Sequence, residues 1–211
     1  LGGIYTALTE TQKARDIYKE IRSAYPENQE ACLFLSKSYA TEKKFNKAKE
    51  IVRGCRKDIG DKAVFSFYLG RVAVDEENRE KAKKHFQQAL EKDDSFSQAA
   101  LALGSLFEEK EQWNKAGEVY REYLDEDPYN SDVLSRLVQI MFAEAQFDEL
   151  VPYLERLVSM DQGNFNLKMR LGILYSENRH HKEALGVFRE ILKVYPDSDK
   201  VLYIIASTYQ E

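Results

Sequence analysis

The sequence predicts an all-α fold built from pairs of helices that repeat along the chain. Alanine or leucine recurs every 34 residues, and a second column of leucines keeps the same period. A fixed period between about 20 and 50 residues is typical of stacked units, each of which buries its apolar face only against its neighbours. The first column is Ala14, Ala48, Ala82, Ala116, Leu150 and Ala184, and the second is Leu1, Leu35, Leu69, Leu103, Leu137 and Leu171.

Two further columns indicate how the two helices of a unit meet. The place after each leucine holds a small residue in most repeats, and the place four residues after each alanine is large and apolar. Apolar residues at spacings of three and four, as in Ala82, Phe86 and Ala89, are typical of one buried helix face. A small residue lets a second helix approach closely. The small column is Gly2, Ser36, Gly70, Gly104, Val138 and Gly172, and the large column is Tyr18, Val52, Phe86, Tyr120, Leu154 and Phe188.

Local signals set the expected boundaries of the repeats. Pro26, Pro128 and Pro196 stop helices, and Gly60 stands at the same place of its repeat. Asparagines near the second helices are expected to accept unpaired amide protons there, at Asn46, Asn78 and Asn114. We count places from the first residue of each repeat. The predicted array, one domain over 1–211, has a partial repeat 1–28, complete repeats 29–62, 63–96, 97–130, 131–164 and 165–198, and a terminal helix 199–211.

The order of leucine, small residue, aromatic, alanine, second aromatic and proline resembles the tetratricopeptide repeat family over essentially all 211 residues. The resemblance implies antiparallel helix pairs stacked into a right-handed superhelix, an α-solenoid. It also implies that the first helices line a concave groove, which commonly binds peptides or protein segments. Members that clamp a chaperone's carboxylate tail carry lysine at place 5 and asparagine at place 9. Here those places hold Leu33 and Lys37, so that ligand is not expected.

The resemblance places the groove at places 2, 5, 9, 12 and 13. Place 5 is mostly apolar, whereas places 9 and 12 mix polar and apolar residues, which suits an amphipathic or extended segment. We expect Phe67 and Phe142 to act as anchors and Arg71 to donate to a carboxylate or carbonyl. The alternative is that place 5 only packs against the next first helix. The predicted groove set is Leu33, Lys37, Phe67, Arg71, Leu101, Glu108, Gln139, Phe142, Met169, Ile173 and Tyr203.

Charge varies strongly along the chain. The net charge is −5, but repeat 29–62 carries +4, 97–130 carries −5 and 131–164 carries −4. The lysines of 29–62 fall near its second helix, where acids interrupt them, so we expect a solvated convex surface and no nucleic-acid partner. The acidic repeats could steer a basic partner. No apolar run of about 18 residues exists, so no membrane span is expected.

Catalytic and metal-binding patterns are absent from the sequence. The three histidines are His85, His180 and His181, and the adjacent pair would point in different directions from a helix start. No GxGxxG or GxxxxGK loop occurs. We therefore expect a protein that is not an enzyme and that needs no cofactor or metal.

Two cysteines share one repeat. Cys32 and Cys55 stand at places 4 and 27, which antiparallel helices bring to the same end. The favoured interpretation is a pair of small buried residues kept reduced in the cytoplasm, and a disulfide is the alternative if the chain is exported, as to a periplasm. The chain starts without methionine and partway into a repeat, so we expect a fragment of a longer protein.

The predicted function is a non-enzymatic scaffold that holds a segment of another protein in the groove. The alternatives are an envelope assembly factor or the regulatory or targeting arm of a larger enzyme, such as a glycosyltransferase. The apolar last helix, with Val201, Tyr203, Ile204 and Ile205, is expected to leave an uncovered face and to allow self-association.

Repeat 131–164 is expected to depart most from the others. It has Val138 and Leu150 in place of smaller residues, which should push its helices apart, and Pro152 is expected to be tolerated only in the first turn of its helix.

Overall fold

The computed structural model describes residues 11–209, and this part of the chain forms twelve α-helices and no strand. First helices begin at residues 29, 63, 97, 131, 165 and 199, and second helices begin sixteen residues later in each complete repeat. The helices are α1 Thr11–Ala24, α2 Gln29–Thr41, α3 Phe45–Ile59, α4 Ala63–Asp75, α5 Arg79–Leu90, α6 Ser97–Glu108, α7 Trp113–Glu126, α8 Ser131–Ala143, α9 Phe147–Met160, α10 Phe165–Glu177, α11 His181–Val194 and α12 Asp199–Thr208.

The chain divides into two compact units, Leu1–Glu111 and Gln112–Glu211. In the first unit, each helix from α1 to α6 packs against the next, and the first helices α2 and α4 also touch each other directly. In the second unit, each helix from α7 to α12 packs against the next. The alanine column lies at the centre of this packing, because its members from Ala14 to Ala184, with Leu150, are fully buried.

Asparagine side chains cap helices, but mostly not the helices that the sequence indicated. Asn28, Asn130 and Asn164 each accept a hydrogen bond from a backbone N–H in the first turn of a first helix. Asn78 caps the second helix α5, as predicted, by accepting from Lys81 N at 3.1 Å. The predictions for Asn46 and Asn114 are wrong. Helices α3 and α7 begin one residue before these asparagines, and the capping residues Lys44 and Gln112 make no side-chain cap bond.

The turn between the two helices of each repeat contains one residue in the left-handed region. Its φ lies between 55° and 60° at all five turns. A residue with a β-carbon is disfavoured there by roughly 1 kcal/mol relative to glycine. The turn geometry is therefore kept although no glycine occupies it. These residues are Lys43, Glu77, Glu111, Ala145 and Arg179.

The small-residue column brings the two helices of a repeat into close contact. A β-carbon at Gly70 would stand 2.4 Å from Phe86 Cε1, and one at Gly172 would stand 2.4 Å from Phe188 Cε1. Separations under 3.0 Å are essentially never found, so both aromatic rings lie directly on the glycine backbone.

Repeat 131–164 differs from repeat 165–198 in the separation of its helices, as its sequence predicts, but the prediction for its proline is wrong. Helices α8 and α9 approach each other less closely along their backbones than α10 and α11 do. The expectation for Pro152 is wrong, because it is the sixth residue of α9 and lies beyond the first turn. Pro152 has no N–H to donate to the carbonyl of Asp148. Both residues are exposed, so water can satisfy that carbonyl and the helix continues.

Cys32 and Cys55 form a disulfide that joins α2 to α3. Their Cα atoms are 6.1 Å apart, within the range that a disulfide spans. The favoured interpretation of two reduced thiols is therefore wrong for this structure, and the alternative is the one observed. The bond lies in a buried cluster with Val52, Phe65 and Leu69.

The last helix exposes part of its apolar surface. Tyr203 is 75% exposed, Leu202 and Tyr209 are also exposed, and Ile204 and Ile205 are half-buried. The prediction that Val201 lies on this open face is wrong, because its side chain is fully buried. None of the described helices is long and apolar enough to cross a membrane.

Candidate functional site

A cleft of about 420 Å³ opens in the first unit, between the neighbouring first helices α2 and α4. Three residues of the predicted groove set line it together: Lys37, Phe67 and Arg71. The cleft arises because consecutive first helices lie side by side, so residues at the same place of successive repeats become neighbours. The walls also include Lys43, Phe45, Tyr68, Val72 and Asp75.

Lys37 and Arg71 form the charged part of the cleft. Both stand at place 9, and both are exposed. Neither side chain has an ion-pair or hydrogen-bond partner in the described part of the chain. Lys43 adds a third cation from the turn after α2, and Asp75 is the single acid. The lining therefore carries a net charge of +2 in an overall acidic chain.

The apolar floor of the cleft is aromatic. Phe67 is only 9% exposed, since its ring packs against Phe86 at 5.7 Å and Phe96 at 5.2 Å between ring centroids. Phe67 therefore supports the floor and offers little surface of its own to a partner. Phe45 and Tyr68 are half-buried and present more ring surface. Sequence reasoning missed both, because they stand at places 17 and 6, outside the columns that the resemblance assigns to the groove.

Charged side chains beside the cleft are engaged in bonds between helices. Arg15 of α1 is 3% exposed, donates to Ser38 Oγ at 2.9 Å and to Glu42, and lies 4.8 Å from the Tyr39 ring centroid. Hydrogen bonds from Arg15 and Lys44 lower the pKa of Glu42 to about 2. These contacts hold α1 against α2 and fix one wall of the cleft.

The opposite wall is held in a similar way. Lys49 of α3 donates to Glu76, directly after α4, at 2.5 Å. Lys92 donates to Asp61 at 2.6 Å and to Ser66 Oγ of α4 at 2.9 Å. The charged side chains that hold the walls of the cleft are paired with one another, whereas Lys37 and Arg71 have no such partner among the described residues. These two cations are therefore available to a ligand.

The remaining predicted groove residues of the first unit lie elsewhere. Leu33 is half-buried and packs against the cluster that contains the disulfide. Leu101 and Glu108 are half-buried on α6. None of the three lines the cleft between α2 and α4.

In the second unit the predicted groove residues differ widely in exposure. Phe142 is half-buried, packs against Phe147 at 6.2 Å between ring centroids and lies under Arg170 at 5.6 Å. Met169 is only 5% exposed and belongs to the interior. Gln139 is exposed, Ile173 is half-buried, and Tyr203 is 75% exposed.

A shallower pocket of about 610 Å³ lies at the end of repeat 165–198. It is lined by Phe165 and by the segment 194–198, and the Phe165 and Tyr195 rings meet at 5.2 Å. The sequence offered a signal for it in the exposed run of valine, tyrosine and proline after α11. It has no cation in its lining, unlike the cleft.

Comparison with known protein families identifies the same kind of repeat. Two family models described as tetratricopeptide repeat match the chain, one over residues 68–131 and the other over residues 1–28 and 168–198. Together they cover more than half of the sequence. The chain belongs to the tetratricopeptide repeat family. Its fold is accordingly an all-α helical-repeat solenoid, and proteins of this family are in general non-catalytic scaffolds that bind other proteins or peptides.

Solved structures with the same fold include several proteins of this family. PilF of Pseudomonas aeruginosa is 17% identical, with 98% of this chain and 94% of that one covered and a TM-score of 0.60. MamA is 21% identical, with coverages of 77% and 95% and a TM-score of 0.57. YrrB is 14% identical, with coverages of 79% and 85% and a TM-score of 0.50. At these identities the likeness shows the fold alone.

One curated relative matches a part of the chain. The general transcriptional corepressor ssn6 of Schizosaccharomyces pombe is 26% identical over 135 residues, which is 63% of this chain. The match spans only 12% of that protein's length.

Proposed function

We propose that this tetratricopeptide repeat chain is a non-enzymatic scaffold that holds a segment of a partner protein in the cleft between α2 and α4. The observation that carries the proposal is the pairing of free cations with an aromatic floor in one cleft, at Lys37, Arg71 and Tyr68. The structure of YrrB is described as that of a tetratricopeptide repeat protein with an unusual peptide-binding site, so a relative with this fold takes such a ligand.

The dimensions of the cleft suit a segment rather than a whole domain. A volume of about 420 Å³ lies in the range of about 300–1,000 Å³ that is usual for ligand sites. A few side chains of an extended strand or of one helix face fill such a space. The aromatic floor would bury their apolar parts, and Lys37 and Arg71 would bond to their acceptors.

Site-specific photo-crosslinking tests the proposal in cells. A photoreactive phenylalanine analogue at Tyr68 should capture a partner, and the same analogue at the exposed Tyr25, which does not line the cleft, should not. Arg71→Ala should weaken capture at Tyr68. Truncation of a central contact residue typically costs about 2 kcal/mol or more, a loss of roughly thirtyfold in affinity. Equal capture at Tyr25 and Tyr68 would contradict the proposal.

The disulfide favours one of the alternative settings for the scaffold. Disulfides persist in oxidising compartments and are rare in a reducing cytosol. The bond between Cys32 and Cys55 therefore supports an exported scaffold, such as one that assists assembly at a cell envelope, over a cytoplasmic adaptor. Alkylation of intact cells with N-ethylmaleimide under denaturing quench, followed by mass spectrometry, measures the redox state. Two alkylated thiols in the native setting would contradict this alternative.

A further inference from the structure

We propose that the cleft selects acidic segments, by placing a partner carboxylate between Lys37 and Arg71 and an adjacent apolar side chain on the Phe45 and Tyr68 rings. This inference rests on the proposed function and adds the chemistry of the partner. It depends on the charges left unpaired in the cleft and on how the two helices place them.

Paired and unpaired cations occur in the same part of the molecule. Lys44 bonds to Glu42 at 2.7 Å, Arg56 pairs with Asp61 at 2.7 Å, and Lys49 bonds to Glu76. Lys37 and Arg71 lie within the same three helices, yet neither is paired with a described residue. Their charges are therefore available to a ligand.

The positions of the two unpaired cations suit a carboxylate. Lys37 of α2 and Arg71 of α4 stand at the same place of adjacent repeats, and both border one cleft. The guanidinium of arginine offers a planar fork that matches a carboxylate, and the lysine ammonium adds a mobile point charge. A carboxylate between them would bond to two helices at once.

A basic or neutral partner segment fits the charge of the cleft less well than an acidic one. Asp75, one helical turn after Arg71, is the only acid in the lining, and it leaves the net charge positive. A positively charged segment would meet repulsion from Lys37, Lys43 and Arg71. An acidic segment would be steered into the cleft, with a rate that falls as salt rises.

Apolar surface lies beside the charges of the cleft. The Phe45 and Tyr68 rings are half-buried, and Phe45 packs against a buried cluster that contains Val72. A carboxylate at Lys37 and Arg71 would leave a neighbouring side chain against these rings. The preferred sequence is therefore an aspartate or glutamate next to an aromatic or aliphatic residue. This arrangement differs from a clamp with lysine at place 5, because Leu33 and Phe67 are apolar.

Selection of random peptides tests the inference without a known partner. A displayed library of random 12-residue peptides is panned against the full chain and against the double variant Lys37→Gln/Arg71→Gln. The matched control is Arg53→Gln/Lys57→Gln, which removes the same charge from exposed places of α3 outside the cleft. The full chain and the control should enrich peptides with acidic and apolar residues side by side, and the cleft variant should not.

A selected peptide is then compared with its analogue in which asparagine and glutamine replace the acids. We expect the analogue to bind at least tenfold more weakly, the acidic peptide to lose affinity as salt rises, and the amide signals of α2 and α4 to shift in nuclear magnetic resonance titrations. Circular dichroism melting confirms that each variant is folded.

The outcomes separate the two proposals. Peptides that bind the cleft without an excess of acids, or analogues that bind equally well, overturn the preference for acidic segments and leave the proposed function standing. Loss of binding in both double variants shows a general charge effect and also overturns the inference. If no peptide shifts α2 or α4, the inference is wrong, and the crosslinking at Tyr68 decides separately whether the scaffold function stands.

Discussion

Repeats 63–96 and 131–164 fill the same contact between their two helices with different side chains. In the first, Gly70 lies directly under the Phe86 ring, and the ring leaves no room for a β-carbon. In the second, the same two places hold Val138 and Leu154, and both are buried. Compared with the first repeat, the second has a larger residue at the small place and a smaller residue at the large place. The two repeats therefore keep this contact filled by opposite changes of size at its two places.

One further repeat agrees with this relation, and another departs from it. Gly172 and Phe188 repeat the close contact of the first pair, with the same 2.4 Å separation. Ser36 and Val52 depart from the relation, because Val52 is smaller than Leu154 although Ser36 is also smaller than Val138, and the Ser36 hydroxyl donates to the carbonyl of Ala48 at 3.3 Å. Interiors are close-packed, so compensating changes of volume are tolerated better than single ones.

We expect the largest effect on stability when the valine found at Val138 is introduced at Gly70, the matching place of repeat 63–96. Gly70→Val inserts three carbon atoms against the Phe86 ring and should lower the free energy of unfolding by about 3 kcal/mol, the upper part of the usual range for overpacking. Addition of Phe86→Leu recreates the pair found in 131–164 and should recover a large part of that loss. Denaturant unfolding of the single and double variants measures both values.

The control for this exchange is Gly186→Val on α11. No atom lies within 4 Å of a β-carbon at Gly186, so this variant should be neutral or slightly more stable. A double variant that is no more stable than Gly70→Val alone would show that the two repeats do not pack by compensation.

The next effect concerns the backbone of α9. Pro152 stands where repeat 63–96 has Lys84, and Pro152→Lys restores the missing N–H donor to Asp148. Interior proline costs about 3 kcal/mol in a helix, and hydration of the carbonyl of the exposed Asp148 would recover part of this, so we expect a gain of about 1–2 kcal/mol in unfolding free energy. Pro152→Ala separates the backbone effect from the added charge. A variant less stable than the parent would mean that the proline stabilises the turn before it.

A third test uses glutamates at place 14, which ends the first helix. Glu42 accepts from Arg15 and Lys44, and its pKa is lowered from 4.5 to about 2. A carboxyl group with a lowered pKa in the folded state stabilises the protein above its ordinary pKa, and this contribution is lost as pH falls towards the folded value. Glu42→Gln should therefore lower stability at pH 7, and the difference from the parent should shrink between about pH 4.5 and pH 2.

Glu144 is the matched residue in repeat 131–164, where it is exposed and has no ion pair with a described residue. Glu144→Gln should change the melting temperature little at either pH. A loss of equal size in both variants would show that the place matters and not the bond to Arg15.

The smallest effect is expected at the turns, where the two repeats are alike. Ala145 and Glu77 both have φ near 60°, so glycine at either place should relieve strain and add about 0.5–1 kcal/mol to the unfolding free energy. Ala143→Gly, two residues earlier in α8, should instead lose about 1 kcal/mol because its backbone is helical. Melting temperatures of Ala145→Gly, Glu77→Gly and Ala143→Gly measure the difference, and equal shifts in all three would contradict the argument.

The columns of the sequence predicted the helices well because each column reports a contact that recurs in every repeat. The buried alanines and the glycines at 70 and 172 are examples. The caps were predicted less well. Asn28, Asn130 and Asn164 stand directly before first helices, a signal that was present in the sequence but was sought only at the second helices.

The sequence predicted the candidate site only to the extent that the place of a residue in its repeat determines where the residue lies in the fold. Lys37, Phe67 and Arg71 meet because adjacent first helices touch. The burial of Phe67 depends on Phe96, which lies in the loop at the end of its repeat and outside every column. The approach of Cys32 to Cys55 followed from their places, but their oxidation depends on the surroundings of the chain, which a repeat pattern does not encode.

The contact between Gly70 and Phe86 also restricts the order in which such a repeat can evolve. A chain that first exchanged the glycine for valine would meet a steric clash and fall in stability, whereas one that first exchanged the phenylalanine for leucine would only open a small cavity. The second route passes through a fitter intermediate. A duplicated repeat that starts with this glycine and phenylalanine is therefore expected to reach the valine and leucine of repeat 131–164 by shrinking its aromatic residue before enlarging its glycine.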